Sequence, residues 1–395
     1  MDLNDSPEHV AFRAEVRAFI TEHRHLAPAA TRVPKDSAAK AWQKLLIERG
    51  YAARTIPGEY GGAGLPPDIL KSRIVADEFA RAGVSPGLGG QGIQMLVPTL
   101  LEVGSEEQKR QFIAPTLAGD IVWCQGYSEP GAGSDLAALS TRAVLDGDDW
   151  VVNGQKIWTS TAHIADWIFC LVRTEPDAPK HQGISFLLFR MDTPGIEVRP
   201  LVDMTMAHSF NEVFFTDVRV PRHQIVGARG DGWKVANVIL KNERDTLANA
   251  NQSLARLNQV TALMQRETVD GQRVIDDPTL RDRLMRLQGR VMAMQYNELR
   301  VLSSQLNPGQ DASLARLITK LQGTELRHEI EALAIDALGE HGTAYADNPY
   351  VEDKGLFQFW HMFYLGLIIG GGTNQIQKNI ISERGLGMPR EPKLA

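Results

Sequence analysis

The sequence predicts an α+β protein in three parts: an N-terminal helical domain over 1–120, a small middle β-barrel or sandwich over 121–225, and a C-terminal domain over 226–395 built like a four-helix bundle. Three observations carry this. Apolar residues recur at helical spacing, with cap residues at the starts, up to about Gly119. Short apolar runs between turn residues then replace that period. From Gly232 the helical period returns in stretches at about 232–267, 278–306 and 311–340, long enough for a bundle.

The first helix opens at Ser6-Pro7-Glu8, with an N-cap serine, proline at the first helical position and an acid in the first turn. Val10, Ala14, Phe19 and Ile20 form its apolar stripe. Asp36 or Ser37 caps a second helix that turns Trp42, Leu45, Leu46 and Ile47 inward and stops at Gly50. Pro66 to Ala82 is a third, with Ile69, Ile74, Val75 and Phe79 at helical spacing, and a fourth runs from about Ile93 to Glu102. Ser105-Glu106-Glu107-Gln108 is a capping box that starts the fifth. Asp120 to Trp123 reads as a short strand and Val144 to Val152 as a hairpin, with a further tight-turn signal at Asn153-Gly154. Trp167–Val172, Ile184–Phe189 and Val213–Phe215 supply more strands. Pro278 and Pro308 stand near the starts of later helices, and the apolar run Phe357 to Ile369 reads as a buried helix.

Composition excludes several classes. The net charge of −6, with no dominant basic patch, argues against a nucleic-acid binder. No stretch approaches the ~20 apolar residues of a membrane span, and no apolar signal core follows the acidic start Met1–Ser6. A reducing, cytoplasmic setting is expected. Cys124 and Cys170 can form no disulfide framework and lie in no metal-ligand spacing. Gly87 to Gly92 matches the dinucleotide pattern G-x-G-x-x-G, but a helix precedes it where that mechanism needs a strand, so it reads as a helix–helix loop.

One stretch stands out for chemistry: Gln125-Gly126-Tyr127-Ser128-Glu129-Pro130-Gly131-Ala132-Gly133-Ser134-Asp135. Gly131 and Gly133 allow close approach of backbone to a ligand, with φ > 0 where needed. Ser128 and Ser134 add small donors, which suits a flat, heteroatom-rich ligand or an anion. Asn153-Gly154-Gln155-Lys156-Ile157-Trp158-Thr159-Ser160 follows, and Gly371-Gly372-Thr373-Asn374-Gln375-Ile376-Gln377 leads into Ile380-Ile381-Ser382-Glu383-Arg384 near the C-terminus. In wording and order these three segments resemble the signatures of the FAD-dependent acyl-CoA dehydrogenase family. The resemblance spans nearly the whole chain and implies the same order of helical, β and helical domains.

The resemblance also implies the chemistry: oxidation of an acyl-CoA thioester to the 2-enoyl-CoA, with FAD taking the hydride, as in fatty acid β-oxidation or other lipid catabolism. Ser128 matches a hydroxyl near the flavin pyrimidine edge, Ser160 one near N5, and Trp158 a ring packed against the isoalloxazine. Gln125, Tyr127 and Gly133 belong to the same cofactor segment, and Ser134 points to the pantetheine chain. Many members carry the catalytic glutamate just before the Gly-Thr of the last signature, where this chain has Gly371. Its N–H remains a donor for the thioester carbonyl, but the base must come from elsewhere. The subgroup with the base on the first long C-terminal helix, just before an arginine, is matched by Asn242-Glu243-Arg244-Asp245. Glu243 is the expected base, and Arg244 lines the same cleft.

Arg266 matches an arginine that reaches the FAD pyrophosphate of a neighbouring subunit, although Val269-Asp270-Gly271 stands where Phe-Gly is usual. Thr373 and Gln375 match contacts to the adenosine half of FAD. Asp336 replaces a common glutamine and Glu340 a small residue, two acids unfavourable beside a pyrophosphate. Gln94 and Met95 are candidates to line the acyl tail. An electron-transfer flavoprotein is the implied acceptor and no metal is implied. The assembly is a homotetramer (a dimer of dimers) or a hetero-oligomer. Two other readings stay open: a weakly or non-catalytic partner subunit, and a flavin oxidase or monooxygenase on the same scaffold.

Overall fold

The computed structural model describes residues 6–28, 36–247, 249–306, 312–346 and 348–390, with only the backbone of 242–247. It divides into two compact units, Asp2–Glu243 and Arg244–Ala395.

The first unit begins with helices. Ser6 caps α1 (Pro7–His23) by accepting from the His9 N–H, and Asp36 caps α2 (Ser37–Glu48), which settles the choice between Asp36 and Ser37. The α1 stripe differs from expectation. Val16, Phe19 and Ile20 are buried while Val10 is 55% exposed, on a first turn that meets the third helix through the Glu8–Lys71 ion pair. Helix α3 is Ile69–Ala82 rather than starting at Pro66, since the Asp68 carboxylate takes the Lys71 N–H as its cap. A loop follows, then a π-turn over Gly92–Leu96 that runs into α4 (Val97–Val103). The Ser105/Gln108 capping box forms as expected at the head of α5 (Glu106–Leu117).

The strands are β1 (Trp123–Gly126), β2 (Arg142–Asp146), β3 (Asp149–Lys156), β4 (Trp167–Arg173), β5 (Ile184–Arg190), β6 (Ile196–Leu201) and β7 (Phe210–Pro221). They form one mixed sheet in the order β1-β4-β2-β3-β7-β6, with β5 on β4. Strand β1 starts later than expected, because Asp120 and Ile121 close the end of α5 by donating their N–H groups to the Pro115 carbonyl. Asn153-Gly154 is not a turn. It lies inside β3 at a bulge opposite β7. Gly154 adopts φ +150°, and a Cβ there would sit 2.7 Å from the Thr141 Cα. Gly154→Ala is therefore expected to cost about 1–3 kcal/mol, read as a lower denaturant midpoint; an unchanged midpoint would count against the strain.

The sheet and the helices before it share a core: Leu96, Leu100, Phe112 and Ile113 pack with Trp123, Phe169, Phe186 and Leu188. Cys124 and Cys170 belong to a second core under the sheet, and burial pushes the Cys170 thiol up to about 12. Burial pushes the Cys124 thiol up as well.

Helix α6 (Gly232–Leu247) carries the division between the units, after Glu243. The expected stretch 232–267 is two helices, because Asn249 caps a new start at α7 (Ala250–Arg266). A small hairpin follows, β8 (Thr268–Val269) with β9 (Gln272–Arg273). Then come α8 (Pro278–Leu306), α9 (Ser313–Leu338), α10 (Leu356–Ile369) and α11 (Asn374–Ile380). Pro308 lies outside the described residues. The core of this unit joins α7, α8 and α9, with Phe357 of α10 added. Helix α10 is not the buried helix expected: Phe357, Gln358 and Tyr364 are buried, whereas Ile369 is 66% exposed. No described helix is long and apolar enough to cross a membrane.

Candidate functional site

Strand β1 delivers the first signature to the edge of the sheet. Tyr127 is buried against Phe169 and Phe186, and Ser128 is half-buried. Glu129 and Ala132 exchange both backbone hydrogen bonds at 3.0 Å, which folds Pro130-Gly131 into a tight turn. Neither Gly131 nor Gly133 needs a positive φ, contrary to one expectation, and a Cβ at either would meet nothing within 4 Å. The space over this loop is open. Ser134 is exposed, next to an ion pair between Asp135 and Lys180.

Glu129 turns inward instead. Its carboxylate accepts from Ser140 N–H (2.6 Å), Ser140 Oγ (2.8 Å) and Thr141 N–H (2.9 Å), and from Lys156 Nζ at 2.8 Å. Lys156 is fully buried and also donates to the Tyr127 carbonyl at 3.1 Å. Burial alone would push the Glu129 carboxyl up; the Lys156 charge and these donors outweigh it and hold it at about 2.

Lys156 ends β3, and the second signature continues from it. The Ile157 N–H donates to the Ser128 carbonyl at 2.9 Å, so the two segments are joined directly. Trp158 then adopts φ +59° and is 60% exposed. A large ring left in solvent on a left-handed backbone costs energy that packing does not repay, the usual mark of a ligand-facing position. Its ring meets only the edge of Phe210 among the described aromatic rings. Asn211, fully buried on β7, holds the turn: its carbonyl accepts the Thr159 N–H and its Nδ2 donates to the Thr159 carbonyl at 2.9 Å.

Ser160 follows and borders a cavity of about 440 Å³, together with Trp42, Gly87 to Gly92, Trp123 and Ile164. The glycine-rich segment is thus a loop, as its sequence context indicates, but also a cavity wall. Gly92 has to be glycine: a Cβ would lie 2.6 Å from the Trp123 ring and 2.9 Å from the Thr116 methyl. Gln91 faces the cavity and donates to Gln125 Oε1 at 3.5 Å. Gln94 and Met95 are not on its wall. Gln94 folds back to accept from the Gly90 N–H, and Met95 is buried in the core.

In the second unit, Gly371 has φ +63° and its carbonyl accepts from Gln377 Nε2 at 3.3 Å. The Thr373 hydroxyl caps α11 by accepting from the Ile376 N–H, and Gln375 is exposed. Buried Lys320 braces this segment through the Gly372 carbonyl (2.8 Å), the Ile368 carbonyl (3.2 Å) and Asn374 Oδ1 (3.3 Å). Arg266 is engaged locally: it pairs with Glu267 and Asp353 at 2.8 Å and with Glu352 at 3.7 Å. Asp336 is neutralised by Arg283 at 2.5 Å, and Glu340 is exposed. Glu243 and Arg244 stand on the α6 backbone, and their side chains lie outside the described residues.

The structure therefore joins the segment of Gln125, Tyr127, Ser128, Gly133 and Ser134 to that of Trp158 and Ser160 through the Ile157–Ser128 hydrogen bond, and gathers Gly371, Thr373 and Gln375 around the start of α11. Sequence reasoning assigned no role to Glu129, Lys156, Asn211 or Lys320. The signal was present for Lys156, a charge on the same strand alternation as Trp150 and Val152. Among the described residues no His/Cys/Asp/Glu cluster could hold a metal ion.

Family models match in three consecutive pieces: the acyl-CoA dehydrogenase N-terminal domain over residues 6–120, the middle domain over 124–218 and the C-terminal domain over 230–386. Acyl-CoA dehydrogenase IpdE1 of Mycobacterium tuberculosis is 37% identical over 392 residues, covering 97% of this chain and 98% of that protein. Among solved structures, the Tcur3481-Tcur3483 steroid ACAD superposes with a TM-score of 0.82 at 32% identity, over 99% of this chain and 100% of that one. The ChsE4-ChsE5 complex from Mycobacterium tuberculosis gives 0.81 at 32% identity, over 99% and 100%. With all three domains matched in order along the chain that carries this site, the protein belongs to the acyl-CoA dehydrogenase family and is an oxidoreductase of that type.

Proposed function

We propose that the protein removes an α-proton and a β-hydride from an acyl-CoA thioester, leaving the 2-enoyl-CoA. The observation that carries this reading is Trp158, a 60% exposed ring on a strained backbone beside Ser160, in a segment tied directly to the Ser128 loop. A flat cofactor with polar edges fits these residues: a ring shelf, open space over Gly131 and Gly133, and hydroxyls at both ends. FAD, when bound, supplies the hydride acceptor, and an electron-transfer flavoprotein then takes the electrons.

The chain supplies the rest. Glu243 takes the α-proton at its carboxylate, as the family subgroup with Glu-Arg on this helix implies. The Gly371 N–H donates to the thioester carbonyl and stabilises the charge that builds there. Gln125, Tyr127, Ser128, Gly133, Trp158 and Ser160 hold the flavin, with Thr373 and Gln375 on its adenosine half. Ser134 and Arg244 bind the substrate. The glycine-walled cavity favours a bulky, ring-bearing acyl group over a short straight one, in keeping with the steroid ACAD it resembles.

Assembly with a second, related chain is the reading that the ChsE4-ChsE5 complex and the Tcur3481-Tcur3483 pair favour over a homotetramer.

The test is anaerobic titration of the purified flavoprotein with straight-chain and steroid-side-chain CoA esters. Loss of oxidised-flavin absorbance with a ring-bearing ester is expected. A protein that stays colourless in added FAD refutes the lone-enzyme reading. Reduced flavin that reacts rapidly with oxygen turns the assignment to an oxidase.

A further inference from the structure

We infer that the buried Lys156–Glu129 pair is the positioning device that holds the two signature segments of the middle sheet in one frame, and so sets how tightly and in what environment FAD is bound. The inference rests on the flavin reading above. Neither side chain is assigned a contact with the cofactor; both act through the backbone next to them.

Glu129 follows Ser128 in the first signature, and Lys156 lies two residues before Trp158 in the second. Between them they tie down the Tyr127 carbonyl, the Ser140 N–H and the Thr141 N–H. The Ile157 N–H adds the direct link to the Ser128 carbonyl. The flavin-facing positions, Ser128 and Trp158, are thus each within two residues of a charge fixed by the other segment.

A fully buried ion pair is a poor way to gain stability. Desolvating both charges offsets most of their attraction, and a well-packed apolar pair would serve as well. An apolar pair would, however, leave the Tyr127 carbonyl and two N–H groups without these partners. What the pair gives is a single register for backbone that two strands supply.

The test is the double variant Glu129→Gln/Lys156→Met, which removes both charges together and leaves no unpaired ion. Apoprotein stripped of flavin is compared with wild type by circular dichroism, then titrated with FAD. Expected is a native spectrum, an FAD dissociation constant raised about 10- to 100-fold, and a change in the flavin absorption envelope. Ser140→Ala, which removes one bond to Glu129 and keeps both charges, tests the same point should the double variant not fold. It is expected to weaken FAD several-fold at unchanged melting temperature. Wild-type affinity and spectrum in whichever of these variants folds overturn this inference alone. A wild-type chain that takes up no flavin, alone or with any chain that co-purifies with it, overturns the flavin reading as well.

Discussion

Glu243→Gln is expected to lower kcat by about 10²- to 10⁴-fold, the range a positioned general base contributes. The α-proton of a thioester is only weakly acidic, so removing it at neutral pH needs a carboxylate held against it. Glutamine keeps the shape and hydrogen-bonding reach of glutamate but cannot accept a proton. The sequence offers no glutamate at the alternative place, which is Gly371. The variant should therefore keep its FAD and bind the CoA ester with little change in affinity. Single-turnover reduction of the flavin reads the effect without interference from the electron acceptor. Wild-type bleaching in the variant would remove Glu243 from the mechanism and send the search to another carboxylate.

Arg256→Met should destabilise the second unit by about 3–5 kcal/mol, the cost of stranding one charge of a buried pair. Arg256 on α7 forks onto both oxygens of Glu331 on α9, at 2.6 and 2.7 Å, and Glu331 is fully buried. The guanidinium also lies over the rings of Phe357 and Trp360 on α10, at 5.4 and 5.7 Å. One side chain thus ties three helices together.

The pH dependence has a definite sign. Burial pushes the Glu331 carboxyl up from its ordinary value and the Arg256 fork pulls it down. Without Arg256 only the upward push remains. The folded state then binds a proton more readily than the unfolded state, so stability falls as pH rises from the unfolded value toward the raised folded one. The deficit should be largest at neutral pH and shrink on acidification toward about pH 5. Denaturant midpoints at the two pH values check this, and Arg256→Met/Glu331→Leu should recover much of the loss. A deficit that grows with acid would reverse the argument.

Much of the fold was legible because local rules agree with the packing. Ser6, Asp36 and the Ser105/Gln108 box cap the helices their sequences announce. The departures share a cause. Val10 fits a helical stripe but finds no neighbour to cover it, and Asn153-Gly154 has the chemistry of a turn but is drawn into a bulge by β7. Helix α10 is apolar enough for a core yet keeps a partly exposed face. Periodicity reports which side chains would profit from burial, not whether a partner exists to bury them.

For the site, the sequence by itself pointed to the family, the order of the three signatures and the absence of a glutamate at Gly371, and it supplied Glu243 as the proposed base, since these depend only on residue identity and spacing. Only the tertiary structure decided that Trp158 is exposed and strained, that Gly87 to Gly92 wall a cavity with Ser160, and that Arg266 is held by its own carboxylates. It alone joined Lys156 to Glu129 across 27 residues of chain. The physical reason is range. Caps and turns are satisfied within a few residues, whereas a buried charge is satisfied only by what the fold brings to it, from anywhere along the chain.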